Sequence, residues 1–147
     1  MKALIQRVSS GSVEVDKKIV GSINKGLVIF IGITHNDSEK EINYLTNKIL
    51  NLRIFGDENT DNFEKSVLDN QGELLIISQL TLYGDTKKGR RPSFVNSAKS
   101  DYASQIYNKF VEKLREEQIK VETGIFGAKM TVNIVNEGPV TLILDSN

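Results

Sequence analysis

The sequence has no cysteine and only one histidine in its 147 residues. The lack of cysteine excludes disulfides, thiolate zinc ligands and a cysteine nucleophile. The single histidine, His35, leaves almost no room for a His-rich metal site, and its setting in Thr34-His35-Asn36-Asp37 is typical of a surface turn. Most familiar catalytic and metal-binding sets are therefore absent.

The formal net charge is zero, because 19 Lys and Arg residues balance 19 Asp and Glu residues. A neutral chain creates no global field toward nucleic acid or membrane, so contact with a polyanion needs a local patch. Residues 1–7 are too polar for a signal peptide, and no apolar run approaches the roughly 20 residues of a membrane span. We expect a cytoplasmic protein without membrane contact, folded as a single domain over residues 1–147.

Strand patterns outnumber helix patterns along the chain. The uninterrupted apolar run Gly26–Ile33 predicts a strand buried on both faces at the centre of a sheet. A capping box formed by Ser38 and Glu41 predicts the start of one amphipathic helix, and Ser100-Asp101 predicts the cap of a second. The order of elements favours an α+β fold, in which mixed or antiparallel β-sheet layers, barrel-like, are covered by the two helices.

The segment Glu73–Gly84 is predicted to be one strand whose character changes halfway. Its first half is apolar, whereas its second half carries Ser78, Gln79 and Thr81. Buried hydroxyl and amide groups cost about 1–3 kcal/mol each unless they are hydrogen-bonded. These side chains are either ordinary polar residues of an edge strand or groups that hold a ligand.

A basic cluster lies on the loop that follows this segment. Its four cationic residues fall within five positions and are Lys87, Lys88, Arg90 and Arg91. A solvated charge run is the usual reason for such clustering, but in a neutral chain a patch that contacts phosphates explains it equally well.

A Gly138-Pro139 step separates two strand-like runs, residues 130–135 and 140–144. Proline removes a ladder donor and glycine gives up side-chain packing, so neither residue suits the interior of a strand. The step is either a tight turn between two antiparallel strands or a rigid backbone device that lets a ligand approach the main chain.

The groups that remain for chemistry are polar side chains, backbone amides and this Gly-Pro corner. The sequence has no glycine-rich phosphate motif, and its acidic residues form no convincing catalytic pair. Such an inventory suits hydrolysis of an already activated bond by oriented water and backbone oxyanion donors better than attack on a stable amide.

Six segments spread over the whole chain resemble the D-aminoacyl-tRNA deacylase family. Two correspond to its signatures: Ser78-Gln79-Leu80-Thr81-Leu82, where the family has S-Q-F-T-L, and Asn136–Thr141, which fits N-x-G-P-V-T. The other four are residues 4–8, 51–55, 88–92 and 124–128. Leu80 replaces the usual phenylalanine of the family, which removes a ring that would pack on the terminal adenine of tRNA.

The resemblance implies a homodimer, with the active site at the subunit interface, that hydrolyses the ester bond of D-aminoacyl-tRNA and also of glycyl-tRNA. It implies neither a metal nor another cofactor. The Gly138-Pro139 bond is expected to be cis and to project into the partner subunit's pocket, where its carbonyls exclude L-aminoacyl groups. Such a filter acts at the α-carbon whatever the side chain is, and the activity would be trans-acting proofreading.

The resemblance also implies roles for individual residues. Ser78 and Gln79 would hold the amino and carbonyl groups of the substrate and contribute to the oxyanion site. Thr81 is interpreted as a positioning group, with a nucleophile as the alternative, because no activating base lies nearby in sequence and the terminal ribose 2′-OH of tRNA can assist the water. Arg7 would brace the Gly-Pro step, and Met130 would line the adenine pocket.

The basic cluster is the candidate contact for the phosphates of the tRNA acceptor end. Two other readings of the chain remain open at this point. One is a noncatalytic module that binds the tRNA end, and the other is a scaffold dimer formed through strand edges, in which Gly138→Ala would change no activity.

Overall fold

The computed structural model describes residues 1–147 and contains one mixed six-stranded sheet with two helices. The strands are β1 Lys2–Val15, β2 Lys18–Ile23, β3 Gly26–Gly32, β4 Glu73–Ser78, β5 Val121–Thr123 and β6 Thr131–Asp145. The helices are α1 Glu39–Asn51 and α2 Ser100–Arg115, and a short 3-10 helix, Leu80–Tyr83, follows β4. None of the helices has the length and apolar character needed to span a membrane.

The long strand β1 organises the sheet, because it pairs antiparallel with β2, β3 and β6. β3 also pairs in parallel with β4, and β4 pairs in parallel with β5. The outer strands β2 and β5 approach each other: a Cβ atom on Gly21 would lie 2.7 Å from the Thr123 carbonyl oxygen, so glycine is required there. The sheet thus curls toward a barrel, and the predicted α+β architecture is confirmed.

Two apolar clusters pack against the sheet. The larger one comprises 23 buried residues and joins the sheet to both helices through side chains such as Leu45 of α1 and Phe110 of α2. The smaller one has six buried residues, among them Val28 and Ile77. Neighbouring residues of β3 belong to different clusters, so this strand is buried on both faces, as its apolar run predicts.

A side-chain capping box marks the start of α1 but not the start of α2. At α1 the backbone amide and the hydroxyl of Ser38 both donate to the Glu41 carboxylate at 2.8 Å, which agrees with the predicted capping box. At α2 the N-cap position is occupied by Lys99, and Ser100 is already helical. The prediction that Ser100-Asp101 caps this helix is therefore displaced by one residue.

The predicted strand Glu73–Gly84 is wrong in its second half. β4 ends at Ser78, and the chain turns directly into the 3-10 helix. The neighbouring strand β3 ends at Gly32, so residues after Ser78 have no β3 residues left to pair with. Gln79 and Thr81 are consequently turn residues, and the interpretation of all three polar residues as edge-strand residues fails.

Of the two interpretations of Gly138-Pro139, the tight turn is excluded. β6 runs through the step as one continuous strand that pairs with β1 both before and after it. Two separate strands joined by a turn would pair with each other, whereas here both halves share the same partner. The Gly-Pro step is therefore an irregularity within a strand, which leaves the backbone device as the remaining interpretation.

Candidate active site

A cavity of about 370 Å³ opens where β3 and β4 end. Its floor consists of apolar sheet residues, and its walls come from the turn after β4, the start of α2 and the loop between β5 and β6. The residues of these walls are Ser78, Gln79, Leu80, Thr81, Ala98, Ser100, Ala103, Phe126, Gly127, Ala128 and Met130.

The end of β4 brings Ser78 and Gln79 to this cavity. Ser78 is the last residue of the strand to pair with β3, and the Gln79 backbone amide then donates to the Ile31 carbonyl at 2.8 Å. Beyond this point the 3-10 helix packs over Gly32, where a Cβ atom would lie 2.9 Å from the Cβ of Leu82. Because Gly32 has no side chain, the turn can fold back over the end of β3.

The turn is fixed by side-chain hydrogen bonds. The Gln79 side-chain amide, Nε2, donates to the Thr81 hydroxyl oxygen at 2.5 Å. The Ser97 hydroxyl donates to the Leu80 carbonyl at 3.0 Å, which ties the turn to the segment before α2. The Leu80 side chain itself is 55% exposed at the edge of the cavity.

The loop between β5 and β6 contributes Phe126 and Met130 to the cavity wall. The Phe126 ring packs against the Tyr107 ring of α2, with their centroids 5.6 Å apart. The Tyr107 hydroxyl donates to the Ile76 carbonyl at 2.9 Å, and burial raises the pKa of Tyr107 to about 12, so this residue stays neutral. A Cβ atom on Gly124 would lie 2.4 Å from the Met130 sulfur, so glycine makes room for the methionine.

The polar side chains of the cavity carry no charge, because none of its lining residues is acidic or basic. Thr81 accepts its hydrogen bond from an amide nitrogen, which has no lone pair with which to take a proton. The lone histidine lies elsewhere, on the surface, with its Nε2 atom 2.7 Å from the Val95 carbonyl oxygen. The chain also lacks any group of three or more acidic, His or Cys side chains placed to hold a metal ion.

The Gly138-Pro139 step lies outside this cavity, in a bulge of β6. Four residues, 137–140, face the single residue Arg7 of β1. The Gly-Pro bond is cis, Gly138 has a φ of +120°, and both residues are exposed. Across the base of the bulge, the Asn136 side-chain amide donates to the Thr141 hydroxyl at 2.8 Å. The bulge thus displays main chain at the surface of the sheet.

Arg7 is almost completely buried and contacts the bulge directly. Its Nε donates to the Glu137 carbonyl at 3.3 Å, and its Nη1 donates to the Ile54 carbonyl at 3.0 Å. Nη1 and Nη2 also meet the two carboxylate oxygens of Asp61, at 2.8 and 3.1 Å. The hydrogen bond from Arg7 holds the pKa of the Asp61 carboxyl below its ordinary value.

The basic cluster lies on a separate exposed loop. Asp85 and Ser93 close this loop through two backbone hydrogen bonds of 2.8 and 2.9 Å. All four cationic side chains are exposed and none forms an ion pair. The cluster is therefore open to an anionic partner.

The structure groups the predicted site residues into three places. The cavity is lined by Ser78, Gln79, Leu80, Thr81 and Met130. The Gly138-Pro139 step lies in the bulge, together with Arg7. The exposed loop carries Lys87, Lys88, Arg90 and Arg91.

Sequence reasoning missed three residues that the structure places at these sites. Phe126 belongs to segment 124–128, which resembles the family, so that resemblance was a signal that could have identified it. Ser100 was assigned only as a helix cap, although it also lines the cavity. Asp61 carries no local signal, because its partner Arg7 is 54 positions away in the chain.

The whole chain is similar to known deacylases. The sequence model of the family described as D-Tyr-tRNA(Tyr) deacylase matches residues 4–145. A relative from Aquifex aeolicus (strain VF5), named D-aminoacyl-tRNA deacylase, is 57% identical over 146 residues, which cover 99% of this chain and 98% of the relative. A relative of the same name from Clostridioides difficile (strain 630) is 50% identical over 147 residues, with coverage of 100% and 98%.

Solved structures share the fold. One, described as c-Myc DNA Unwinding Element Binding Protein, has a TM-score of 0.95 at 41% identity and covers 100% of this chain and 99% of its own. Another, of a probable eukaryotic D-amino acid tRNA deacylase, has a TM-score of 0.81 with 97% coverage of both chains; its 16% identity shows the fold alone. Together with the sequence matches over nearly the full length, these findings establish that the chain belongs to the D-aminoacyl-tRNA deacylase family of hydrolases.

Proposed function

We propose that this deacylase hydrolyses glycyl-tRNA as well as D-aminoacyl-tRNA, and that it rejects L-aminoacyl-tRNA through the main chain at Gly138-Pro139 of a second subunit. Deacylation of D-aminoacyl-tRNA is the activity of its family. The observation that carries the proposal is the separation of two features on the same chain: an uncharged, mainly apolar cavity with a few polar side chains, and an exposed backbone bulge.

The uncharged cavity suits an ester substrate. An aminoacyl ester is already activated, so its hydrolysis depends on orientation and on stabilising the oxyanion more than on a strong base. In the proposal, Ser78 and Gln79 hold the amino and carbonyl groups of the substrate while water attacks the carbonyl carbon. The tetrahedral intermediate expels the ribose oxygen, which takes up a proton, and the amino acid and tRNA leave.

The proton of the attacking water needs an acceptor that the cavity side chains do not supply. The neighbouring 2′ hydroxyl of the terminal ribose is close to the reacting carbonyl in any aminoacyl-tRNA, so the substrate itself assists the water. Thr81, whose oxygen already accepts from Gln79, then acts as a positioning group.

The filter is proposed to act between two copies of the chain. Gly138 and Pro139 are exposed and line no part of the cavity on their own subunit. The same strand exposes an apolar side chain on each side of the bulge, namely Val135 at 55% and Ile143 at 71%. Exposed apolar side chains grouped on one strand support an interface. A homodimer would cover them and bring each bulge to the partner's cavity.

A backbone filter explains why the side chain of the amino acid does not matter. A side-chain pocket would select one amino acid, whereas rigid carbonyl groups at the α-carbon reject one configuration sterically. Glycine has no side chain on its α-carbon, so the filter has nothing to exclude and glycyl-tRNA would be hydrolysed too.

The remaining contacts are assigned to the tRNA end. Leu80 and Met130 both line the cavity and are proposed to contact the terminal adenine. The exposed loop with Lys87, Lys88, Arg90 and Arg91 is proposed to contact acceptor-end phosphates, where each cation replaces a condensed counterion. We propose that residues 1–147 act as a single domain in the cytoplasm, where aminoacyl-tRNA is used.

The proposal is tested with purified protein and one tRNA(Tyr) charged with D-tyrosine or L-tyrosine, together with glycyl-tRNA. Ester loss is followed by release of labelled amino acid. We expect hydrolysis of the D-tyrosyl and glycyl esters and protection of the L-tyrosyl ester. Equal rates for both tyrosyl esters would contradict the filter, an intact glycyl ester would contradict the wider substrate range, and tRNA binding without any ester loss would favour a noncatalytic module.

A further inference from the structure

We propose that Asp61 is a positioning residue for chiral discrimination, and that it acts through Arg7 on the bulge that carries Gly138-Pro139. The inference rests on the proposed function, because it assigns Asp61 a role within the backbone filter. Its basis is a continuous series of contacts from an exposed carboxylate, through a buried guanidinium, to the main chain of the bulge.

The first contact is a two-point pairing between Asp61 and Arg7. One carboxylate oxygen lies 2.8 Å from Nη1, and the other accepts from Nη2 at 3.1 Å. The Nη2 contact is a charge-assisted hydrogen bond and the Nη1 contact is a close ion pair, and two contacts on different nitrogens restrict the rotation of the guanidinium plane as well as its distance. Asp61 therefore contributes to the orientation of Arg7, together with the carbonyls that Arg7 binds.

The second contact joins Arg7 to the bulge. Its Nε donates to the carbonyl of Glu137, the residue immediately before Gly138, at 3.3 Å. Its Nη2 lies against Gly138 itself, since a Cβ atom there would be only 3.0 Å away. Rotation of the guanidinium plane would alter both contacts, so the orientation of Arg7 is transmitted to the Gly-Pro main chain.

Asp61 is the only acidic partner of this buried cation. Apart from the bulge, the other anchor of Arg7 is the Ile54 carbonyl, a single neutral acceptor at 3.0 Å. A buried charge that loses its partner reorients toward other acceptors or water. Removal of the Asp61 charge is therefore expected to loosen the position of the bulge.

The loop that carries Asp61 is itself held in shape. Phe55 and Lys65 pair at its base, and the Asp57 carboxylate accepts from the backbone amides of Asn59 and Thr60 at 2.8 Å. The Asp61 side chain is 66% exposed, so its replacement removes little packing. A change in discrimination after its substitution would reflect the contact with Arg7.

The test compares kcat/KM for D-tyrosyl-tRNA and L-tyrosyl-tRNA on the same enzyme preparation. Both rates scale with the same active fraction, so their ratio is unaffected when a substitution merely lowers stability. Asp61→Asn is expected to lower the D-to-L ratio about tenfold, as loss of one charge-assisted hydrogen bond would, and Asp61→Glu to keep most of it. The control is Glu58→Gln, which removes a charge from the same loop at an exposed residue without an ion pair.

The outcomes separate this inference from the function on which it rests. A wild-type protein without preference for the D ester overturns the proposed function. A wild-type preference that survives Asp61→Asn, or that falls equally in Glu58→Gln, overturns the role of Asp61 alone. In a Gly138→Ala background, Asp61→Asn is expected to leave the D-to-L ratio of kcat/KM unchanged, because the filter is already altered. A further tenfold loss of this ratio in that background would also overturn the role of Asp61.

Discussion

The side-chain amide of Gln79 donates a hydrogen bond to the hydroxyl oxygen of Thr81, two residues later in the turn after β4. An amide nitrogen cannot remove a proton, so this contact orients Thr81 without activating it. No other side chain of the cavity is basic enough to do so.

Thr81→Val is therefore expected to reduce kcat for D-tyrosyl-tRNA by about tenfold or less, because the shape is kept and one hydrogen bond is removed. Loss of a true nucleophile would cost a factor of thousands or more. Single-turnover deacylation measures the difference. A rate equal to spontaneous hydrolysis in a folded Thr81→Val variant would establish Thr81 as the nucleophile.

The pH dependence of the reaction is expected to be independent of His35. This residue contacts the Val95 carbonyl on the surface, and the cavity offers no acidic or basic side chain. The profile of kcat/KM between pH 6 and 8.5 should have the same shape in the wild type and in His35→Ala, since any inflection comes from the substrate. An inflection that disappears in His35→Ala would make the histidine a catalytic base.

The basic loop is expected to supply salt-dependent affinity for tRNA. Arg90→Ala combined with Arg91→Ala should weaken binding and reduce the slope of log K against log salt by about 0.7–0.9 for each phosphate that the loop no longer neutralises. The matched control is Lys40→Ala with Lys48→Ala, which removes the same charge from the exposed surface of α1. Equal slopes in both double variants would show that the loop merely faces solvent.

Stability in acid should depend in part on Glu41. Hydrogen bonds from the Ser38 side chain and amide lower the pKa of the Glu41 carboxyl from its ordinary value of 4.5. A lowered folded-state pKa stabilises the fold above pH 4.5, and this contribution is lost as the pH falls through the lowered pKa. The difference in unfolding free energy between wild type and Glu41→Gln should therefore shrink from pH 5 to pH 3 in urea titrations. A difference that stays constant or grows would refute this.

Those features of the fold that depend on neighbouring residues were predictable from the sequence. The apolar run of β3 specified a strand buried on both faces, and the Ser38 and Glu41 side chains specified the start of α1. Both signals need only a few consecutive residues, so no knowledge of the tertiary structure is required.

Features that depend on distant pairing were mispredicted or missed. The end of β4 is set by Gly32 of the adjacent strand, which ends the ladder and admits the 3-10 helix. The bulge at Gly138 exists because β6 pairs with β1 on both sides, and the Arg7–Glu137 contact that supports it spans 130 positions. Likewise, the motif residues predicted which side chains line the cavity, whereas the contact of Asp61 with Arg7 became visible only in the three-dimensional structure.

In the proposed filter, the bulge of one subunit screens substrates in the cavity of the other. Heterodimers of two different variants test this arrangement directly. One chain carries Gln79→Ala, which alters its cavity, and the other carries Gly138→Ala, which alters its bulge. The added Cβ would lie 2.9 Å from Val140 Cγ2 and 3.0 Å from Arg7 Nη2, and the φ of +120° at Gly138 is strained for alanine, so Gly138→Ala is expected to alter the bulge.

In such a heterodimer one site combines an intact cavity with an intact bulge only if the bulge acts across the interface. The decisive measurement is the ratio of kcat/KM for D-tyrosyl-tRNA and L-tyrosyl-tRNA in heterodimers purified through two different tags. We predict the wild-type ratio, at about half the wild-type activity because one of two sites works. A ratio no better than that of the Gly138→Ala homodimer, or a protein that remains monomeric, would show that the bulge does not filter substrates across a subunit interface.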